Sequence, residues 1–209
     1  MSELVFLEKV RISFPQLIEA TRAKGYPTSE PKFSADFLLV PDHPGFAKFM
    51  VEFKNLLVEK YKDKAPHVKA LIDADRGKRC YGKGEERIDK TTFTTLVGYE
   101  NHVYITAKNS NAPQLIMHNG QPATEAQYKA EARKIYGGCF VNAVVRPWLQ
   151  SSDEAVRCDL MAVQFCCDGE AFGEGSVDAS GMFSAVAPAP MKGGADNGFS
   201  TPSVPSFMK

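Results

Sequence analysis

Several familiar signatures of chemistry are missing from this chain. No CxxC pair occurs, and none of the four histidines lies close enough to a cysteine to give zinc-site spacing. Neither a GxSxG motif nor a phosphate-binding glycine loop is present. No apolar run is long enough to span a bilayer. We therefore expect a protein that is not an enzyme, that needs no metal or cofactor, and that has no membrane segment.

The cysteines also argue against an extracytoplasmic protein. There are five, an odd number, and the first residues lack the charged region followed by an apolar stretch that marks a secretory signal. Reduced structural thiols are the expected state of such a set. The sequence predicts a cytoplasmic location.

Composition changes sharply near the C-terminus. Residues 173–209 are rich in glycine, proline and serine, and they contain too little apolar surface to offset the entropy of ordering them. Residues 168–209 include five acidic and two basic side chains. The chain as a whole is neutral, so residues 1–167 are +3. We predict one folded domain over residues 1–172 and a disordered, mildly acidic tail over residues 173–209.

Within the predicted domain, period-2 alternation dominates. Residues 4–14 alternate as a half-buried strand, with Phe6 and Phe14 on the inner face and Pro15 as its end. Residues 46–61 follow the helical period, and Thr124 opens a second helix with a capping box. Two long strands are predicted near residues 139–149 and 156–167. This order of elements predicts a mainly β (α+β) protein with inserted helices.

The densest basic segment is residues 60–90, which contain ten basic and six acidic residues. Residues 73–92 are predicted to be an extended, glycine-containing loop in which Tyr81 lies among cations. Lysine and arginine neutralise phosphates, and an exposed ring offers a surface on which a nucleobase stacks. A solvated loop whose charges keep the protein soluble explains the same composition. The candidate phosphate contacts here are Arg76, Lys78, Arg79 and Lys83.

Two strand faces extend this candidate site. In the strand 139–149 the apolar face is expected in the core, and the opposite face offers Phe140, Arg146 and Trp148. In the strand 102–108, Tyr104 and Lys108 share one side. Each face also has a purely structural interpretation. The first packs under a helix, and Tyr104 is a buried tyrosine that hydrogen-bonds through its hydroxyl.

Four segments give the chain a family resemblance: residues 10–17 (VRISFPQL), 32–39 (KFSADFLL), 135–143 (IYGGCFVNA) and 160–173, which includes LMAVQF and DGEAFG. In order and spacing they resemble the bacteriophage-encoded single-stranded DNA-binding proteins built on an OB-fold. The resemblance implies a five-stranded antiparallel barrel with inserted helices. It also implies sequence-independent binding of single strands and a role in phage DNA replication or recombination.

The resemblance also implies partners and roles. Single-stranded DNA is the expected ligand. In such proteins an acidic tail with an apolar tip recruits replication or recombination proteins, and Phe207 is the candidate tip here, although this tail has few acids and ends in Lys209. Unpaired sheet edges favour a homodimer. The alternatives are a strand-annealing recombination mediator, a metal-dependent nuclease and a structural virion protein. The predicted phosphate contacts are Arg76, Lys78, Arg79, Lys83, Lys108 and Arg146, and the predicted stacking rings are Tyr81, Tyr104, Phe140 and Trp148.

Overall fold

The computed structural model describes residues 2–23, 25, 27–152 and 154–173. Seven β-strands and three α-helices lie within these residues. The strands are β1 (Val5–Thr21), β2 (Lys32–Leu39), β3 (Tyr81–Lys83), β4 (Val103–Asn109), β5 (Gln114–Ile116), β6 (Phe140–Gln150) and β7 (Ala155–Cys167). The helices are α1 (Pro44–Tyr61), α2 (Ala65–Ala74) and α3 (Glu125–Lys134).

All seven strands form one open sheet in the order β3-β4-β2-β1-β6-β7-β5. Neighbouring strands pair antiparallel except β5 and β7, which run parallel. The short strands β3 and β5 are the two edges. The prediction of a mainly β protein with inserted helices is confirmed.

Strand β1 differs from its prediction because its pairing contains three register shifts. One lies between Leu7 and Val10 against β6, and two lie against β2, between Ser13 and Gln16 and between Gln16 and Thr21. Lys9 and Phe14 have positive φ there. Each bulge inserts an extra residue and changes which side chains point inward. The prediction that Pro15 ends the strand was therefore wrong, because a bulge accommodates a proline that cannot donate to the ladder.

The same bulges correct the expected faces of β1. Val10 and Ile12 are buried as predicted. Phe6 and Phe14, expected on the same inner face, are 51% and 57% exposed. A strict period-2 count across a bulge assigns the wrong face to residues on its far side.

Helix α1 covers one side of the core. His43 precedes it and its ring accepts the Gly45 amide, while Pro44 occupies the first turn, where its missing N–H costs nothing. Phe49, Phe53 and Leu57 follow the helical period and are fully buried. Helix α3 begins with the capping box predicted at Thr124. No described helix has the length and apolar character needed to cross a membrane.

Strand β6 alternates as its sequence predicts. Cys139, Val141, Ala143 and Val145 are buried in the main core, and Phe140 to Trp148 at even positions are partly or fully exposed. Residues 73–92, predicted as an extended loop, instead contain two short 3-10 turns and β3. The predicted tail lies outside the described residues apart from Gly173, and so does its candidate tip Phe207.

Candidate nucleic-acid interface

A groove of about 890 Å³ crosses the molecule beside β2, β4 and the paired ends of β6 and β7. Seven basic and three acidic side chains line it. Three aromatic residues line it as well: Phe14, Tyr104 and Trp148. The basic residues are Arg22, Lys32, Arg76, Arg79, Arg87, Lys108 and Arg157. The groove is thus a surface of positive charge and flat rings, suited to a polyanion that carries planar groups.

Half of the ten predicted site residues line this groove. They come from the basic segment, from β4 and from β6, which are distant in sequence. These five are Arg76, Arg79, Tyr104, Lys108 and Trp148.

Tyr81 is placed differently from its predicted role as a stacking ring. It is only 6% exposed, and its ring packs against Phe49 and Phe53 of α1. Its hydroxyl donates to Asp73 at 2.5 Å. Burial, and then the Asp73 carboxylate, raise the pKa of Tyr81 far above its ordinary value. In this position the ring is a core side chain and offers no free face to a nucleobase.

The remaining predicted residues lie outside the groove. Lys83 is exposed at the end of the edge strand β3, and Lys78 is half-buried in a 3-10 turn. Phe140 is half-buried, with the Arg11 guanidinium 5.8 Å from its ring centroid. Arg146 donates to Asp159 at 2.7 Å, so its charge is paired just beside the groove.

A buried carboxylate organises the groove wall. Asp36, in the middle of β2, is 6% exposed. It accepts hydrogen bonds from the Tyr99 hydroxyl at 2.7 Å and the Thr106 hydroxyl at 2.6 Å. The Arg87 guanidinium lies 3.1 Å from it. A buried carboxylate needs such partners to offset its lost hydration, and three different chain segments supply them.

Asp36 thereby fixes the orientation of Arg87. Nη2 of Arg87 also donates to Thr106 at 2.6 Å, and its Cζ lies 4.2 Å from the ring centroid of Tyr104. That distance is within cation–π range. Tyr104 is buried, and Arg87 packs on its ring, so the two side chains form one unit of the groove wall.

Trp148 is the exposed ring at the other wall. It is 36% exposed, and its indole N–H donates to Asp159 at 2.8 Å. The same carboxylate accepts from Arg146. One acid thus holds the indole edge and neutralises a neighbouring cation, which leaves the aromatic face as the available surface of Trp148.

Arg79 is held by a second local ion pair. Its Nη2 lies 2.9 Å from Glu86, and its Nη1 donates to the carbonyl of Tyr81. Gly82 makes room for this pair, because a Cβ at that position would lie 2.5 Å from Arg79 Nη1. Within the described part of the chain, Nε of Arg79 and Nε of Arg87 are buried without a hydrogen-bond partner, so neither guanidinium is fully satisfied.

The seven groove cations differ in how far the protein already engages them: Lys32 lies 4.0 Å from Glu30, and Arg157 donates to Gln150 and to the carbonyl of Gly77. Arg79 and Arg87 are committed to internal carboxylates. Among the described residues, Arg22, Arg76 and Lys108 form no ion pair, and all three are exposed. These last three are the ones placed to neutralise an incoming anion without breaking an ion pair.

Sequence reasoning missed Asp36, Arg87, Phe14 and Arg22. A signal existed for Asp36, because it is the single charge within residues 33–40, an otherwise apolar strand, and a buried acid implies a cation partner. Nothing local identifies that partner as Arg87, since 51 positions separate the two. Phe14 was assigned to the core because the bulge beside it leaves no mark in the period-2 pattern.

The groove floor contains two thiols and no metal cluster. Cys80 and Cys158 line it, and burial, followed by contact with Cys80, raises the pKa of Cys158 well above its ordinary value. All five cysteines are free. Within the described residues no group of three or more His, Cys, Asp or Glu side chains is placed to hold a metal ion. Such buried thiols are packing groups.

An open β-sheet whose groove combines unpaired cations with exposed rings defines a mainly β protein of the nucleic-acid-binding class. A family model described as Enterobacter phage Enc34, ssDNA-binding protein, matches residues 3–190. The chain belongs to this family. It is also 28% identical over 174 residues to protein p50 of Acyrthosiphon pisum secondary endosymbiont phage 1, covering 82% of this chain and 87% of that protein.

Solved structures share the fold. The single-stranded DNA-binding protein from bacteriophage Enc34 is 23% identical, with a TM-score of 0.60 over 87% of this chain and 90% of that one. The structure of that protein in complex with ssDNA has a TM-score of 0.62 at 22% identity, covering 81% and 89%. At this level of identity the likeness establishes a common fold.

Proposed function

We propose that this protein binds single-stranded DNA irrespective of sequence and coats it during phage DNA replication or recombination, without catalysing a reaction. The observation that carries the proposal is the groove in which Arg22, Arg76 and Lys108 lie with the exposed rings of Phe14 and Trp148. Membership of a family named for ssDNA binding supports it.

The groove supplies both of the interactions that bind a single strand, phosphate neutralisation and base stacking. Its unpaired cations neutralise phosphates and release counterions. Trp148 and Phe14 offer ring faces, and stacking contributes roughly 1–3 kcal/mol per nucleobase. The Arg87–Tyr104 pair adds a third flat surface, because the outer face of a guanidinium stacks on nucleobases as well. Among the predicted residues this assigns phosphate contacts to Arg76 and Lys108, and stacking to Trp148.

Lack of sequence preference follows from how the polar side chains are used. Asp36 and Asp159 could read nucleobase edges, but each is occupied by protein donors. Rings and guanidinium faces contact any nucleobase equally well, because every nucleobase has a π-face. The groove therefore recognises an unpaired backbone with splayed nucleobases, and a duplex does not present that surface.

We also propose that five of the strands form an OB-type barrel. In sheet order these are β4, β2, β1, β6 and β7, and closing the barrel requires β4 to approach β7. The Asn109 side chain of β4 donates to the carbonyl of Leu160 in β7 at 3.1 Å, which supports this closure. In this arrangement β3 and β5 are additions at the two open edges.

The wider assignments rest on composition and on the phage origin of the relatives. We propose a binding domain over residues 1–172 and a separate acidic tail over 173–209, with Phe207 contacting replication or recombination proteins. The opposite net charges of the two parts support this division. The sheet edges β3 and β5 are the proposed contacts of a homodimer. Action in the host cytoplasm agrees with five free cysteines.

Fluorescence of the only tryptophan tests the proposal directly. Titration with oligo-dT is expected to quench Trp148 to a saturating level, because a stacked nucleobase covers the indole face. A duplex oligonucleotide of equal length is expected to bind at least about tenfold more weakly at the same salt concentration. Equal binding of both, or none of either, would overturn the proposal.

Truncation of the same ring gives a quantitative prediction. Trp148→Ala is expected to weaken oligo-dT binding about 10-fold, measured by anisotropy of a labelled oligonucleotide, since one stacking contact is lost. Trp148→Phe is expected to retain most of the affinity. Val58→Ala, an exposed apolar residue on α1, is the matched control. An affinity of Trp148→Ala equal to that of the control would remove Trp148 from the site.

A further inference from the structure

One loop presents an aromatic ring that the fold does not use. Phe93, in the segment between β3 and β4, is 81% exposed, more than any other large apolar residue among those described. Its φ is +57°, a left-handed conformation that bulky side chains rarely adopt. Exposure and backbone strain at the same residue are both unfavourable for folding, so their combination points to a role in binding.

The loop around Phe93 is nevertheless closed by its own hydrogen bonds. Asp89 accepts the amides of Thr91 and Thr92, and these bonds, that of Thr91 first, lower the pKa of its carboxyl group. The Phe93 amide donates to the carbonyl of Asp89, and the Asp89 amide to the carbonyl of Thr94. The backbone is thus closed into a compact turn, which holds the ring in place outside it.

The base of this loop is fixed to the groove wall. Arg87, which lines the groove, accepts the Leu96 amide through its carbonyl. Leu96 packs against the buried Tyr99 and Tyr104. Arg87 and Phe93 are six positions apart, so their Cα atoms lie at most about 22 Å from each other. A strand that lies in the groove and continues about 22 Å past Arg87 is therefore long enough to contact the Phe93 ring.

The base of the loop is also secured from its far end. Gly98 has a φ of +82°, and a Cβ there would lie 2.0 Å from the ring of Phe172. The Phe172 amide donates to the carbonyl of Gly137, and Arg11 stacks on the ring at 4.3 Å. The two ends of the loop that contains Phe93 are therefore packed against the rest of the domain. Such packing restricts where the exposed Phe93 side chain can lie.

We propose that Phe93 is a separate base-stacking site that extends the DNA footprint beyond the groove. The inference rests on the proposed single-strand binding and adds a contact to it. The neighbours suit this occupant: Lys90 is an exposed cation beside Asp89, whose carboxylate is taken up by backbone amides of the turn. The exposed threonines Thr91, Thr92 and Thr94 carry hydroxyls of the kind that contact phosphate, and those of Thr92 and Thr94 also bond each other. Ile88 and Val97 are exposed at the stem, so a protein partner is the competing occupant.

Oligonucleotide length separates the two contacts. Oligo-dT of about 5 nucleotides fills the groove alone, and one of about 16 nucleotides also reaches the loop. Phe93→Ser in the full chain is expected to lose about 5- to 10-fold in affinity for the longer strand and nothing for the shorter one. Phe93→Tyr is expected to behave as the wild type. Phe6→Ser, which alters an exposed phenylalanine on β1, is the matched control.

A relocated tryptophan gives an independent readout. In the double variant Trp148→Phe/Phe93→Trp, fluorescence is expected to be quenched by the longer strand and to stay unchanged with the shorter one. Wild-type affinity of Phe93→Ser for both lengths, or an equal loss for both, would overturn the Phe93 site while leaving groove binding intact. Failure of the wild type to bind either length would instead overturn the proposed function. Loss of self-association in Phe93→Ser, with DNA binding unchanged, would assign the ring to a second copy of the chain.

Discussion

Affinity for oligo-dT is expected to fall about 20- to 50-fold when monovalent salt rises from about 50 to about 200 mM. The estimate follows from the number of cations placed to neutralise phosphate. Arg22, Arg76 and Lys108 form no ion pair among the described residues, and Lys32 lies 4.0 Å from Glu30. Three to four phosphate contacts give a slope of about −2 to −3 in log K against log salt for a single strand.

Counting all seven groove cations would predict a much steeper dependence. Arg87 and Arg79 already face Asp36 and Glu86, so a phosphate gains little by approaching them. These two arginines serve mainly as flat, fixed surfaces. The slope of log K against log salt therefore measures how many groove cations bind phosphate and how many are instead paired with carboxylates of the protein.

A double variant tests that division. Arg76→Ala/Lys108→Ala is expected to flatten the slope by about 1.4, and Lys48→Ala/Lys54→Ala, which removes two exposed cations from α1, is expected to leave it unchanged. Binding measured by anisotropy at four salt concentrations gives both slopes. A slope near zero in the wild type, or the same change in both double variants, would contradict the assignment of phosphate contacts.

Asp36→Ala is expected to lower the free energy of unfolding by about 3 kcal/mol. The substitution removes the acceptor of the Tyr99 and Thr106 hydroxyls and leaves the Arg87 guanidinium without its carboxylate. Tyr99 is fully buried, so no water replaces the lost partner without rearrangement. The urea midpoint is expected to fall by about 1–1.5 M with an unchanged m-value.

Comparison with other variants separates charge from shape. Asp36→Asn keeps one of the two acceptor oxygens that the Tyr99 and Thr106 hydroxyls use, and it loses the charge, so it is expected to be less destabilised than Asp36→Ala. Asp63→Ala, at an exposed acid beside α1, is the control and is expected to unfold like the wild type. An Asp36→Ala midpoint within about 0.2 M of that control would show that the carboxylate does not organise the groove wall.

Local patterns were sufficient for the elements whose determinants are adjacent in sequence. The period of α1, the capping box at Thr124 and the alternation of β6 all predicted what the structure contains. In these segments, burial follows the period of the element itself. Lys108 and Trp148 were found in the same way, as outward-facing residues of strands, and the structure places both in the groove.

The misplaced residues depend on contacts between distant segments. Tyr81 has a polar, glycine-rich sequence environment that suggests exposure, yet α1 covers it from more than twenty positions away. Arg87 becomes a fixed surface only because Asp36 lies under it. No window of sequence contains either pair, so propensity and periodicity carry no information about them.

The bulges of β1 at Lys9 and Phe14 have a consequence for chain length. Each contributes one residue beyond what its partner strand requires, so loss of Lys9 or Phe14 would straighten the strand without exchanging its inner and outer sides. Deletion of a single residue within residues 10–13 would instead turn hydrophobic side chains out toward solvent. Single-residue gaps between this chain and its relatives are therefore expected at Lys9 and Phe14, and not between them.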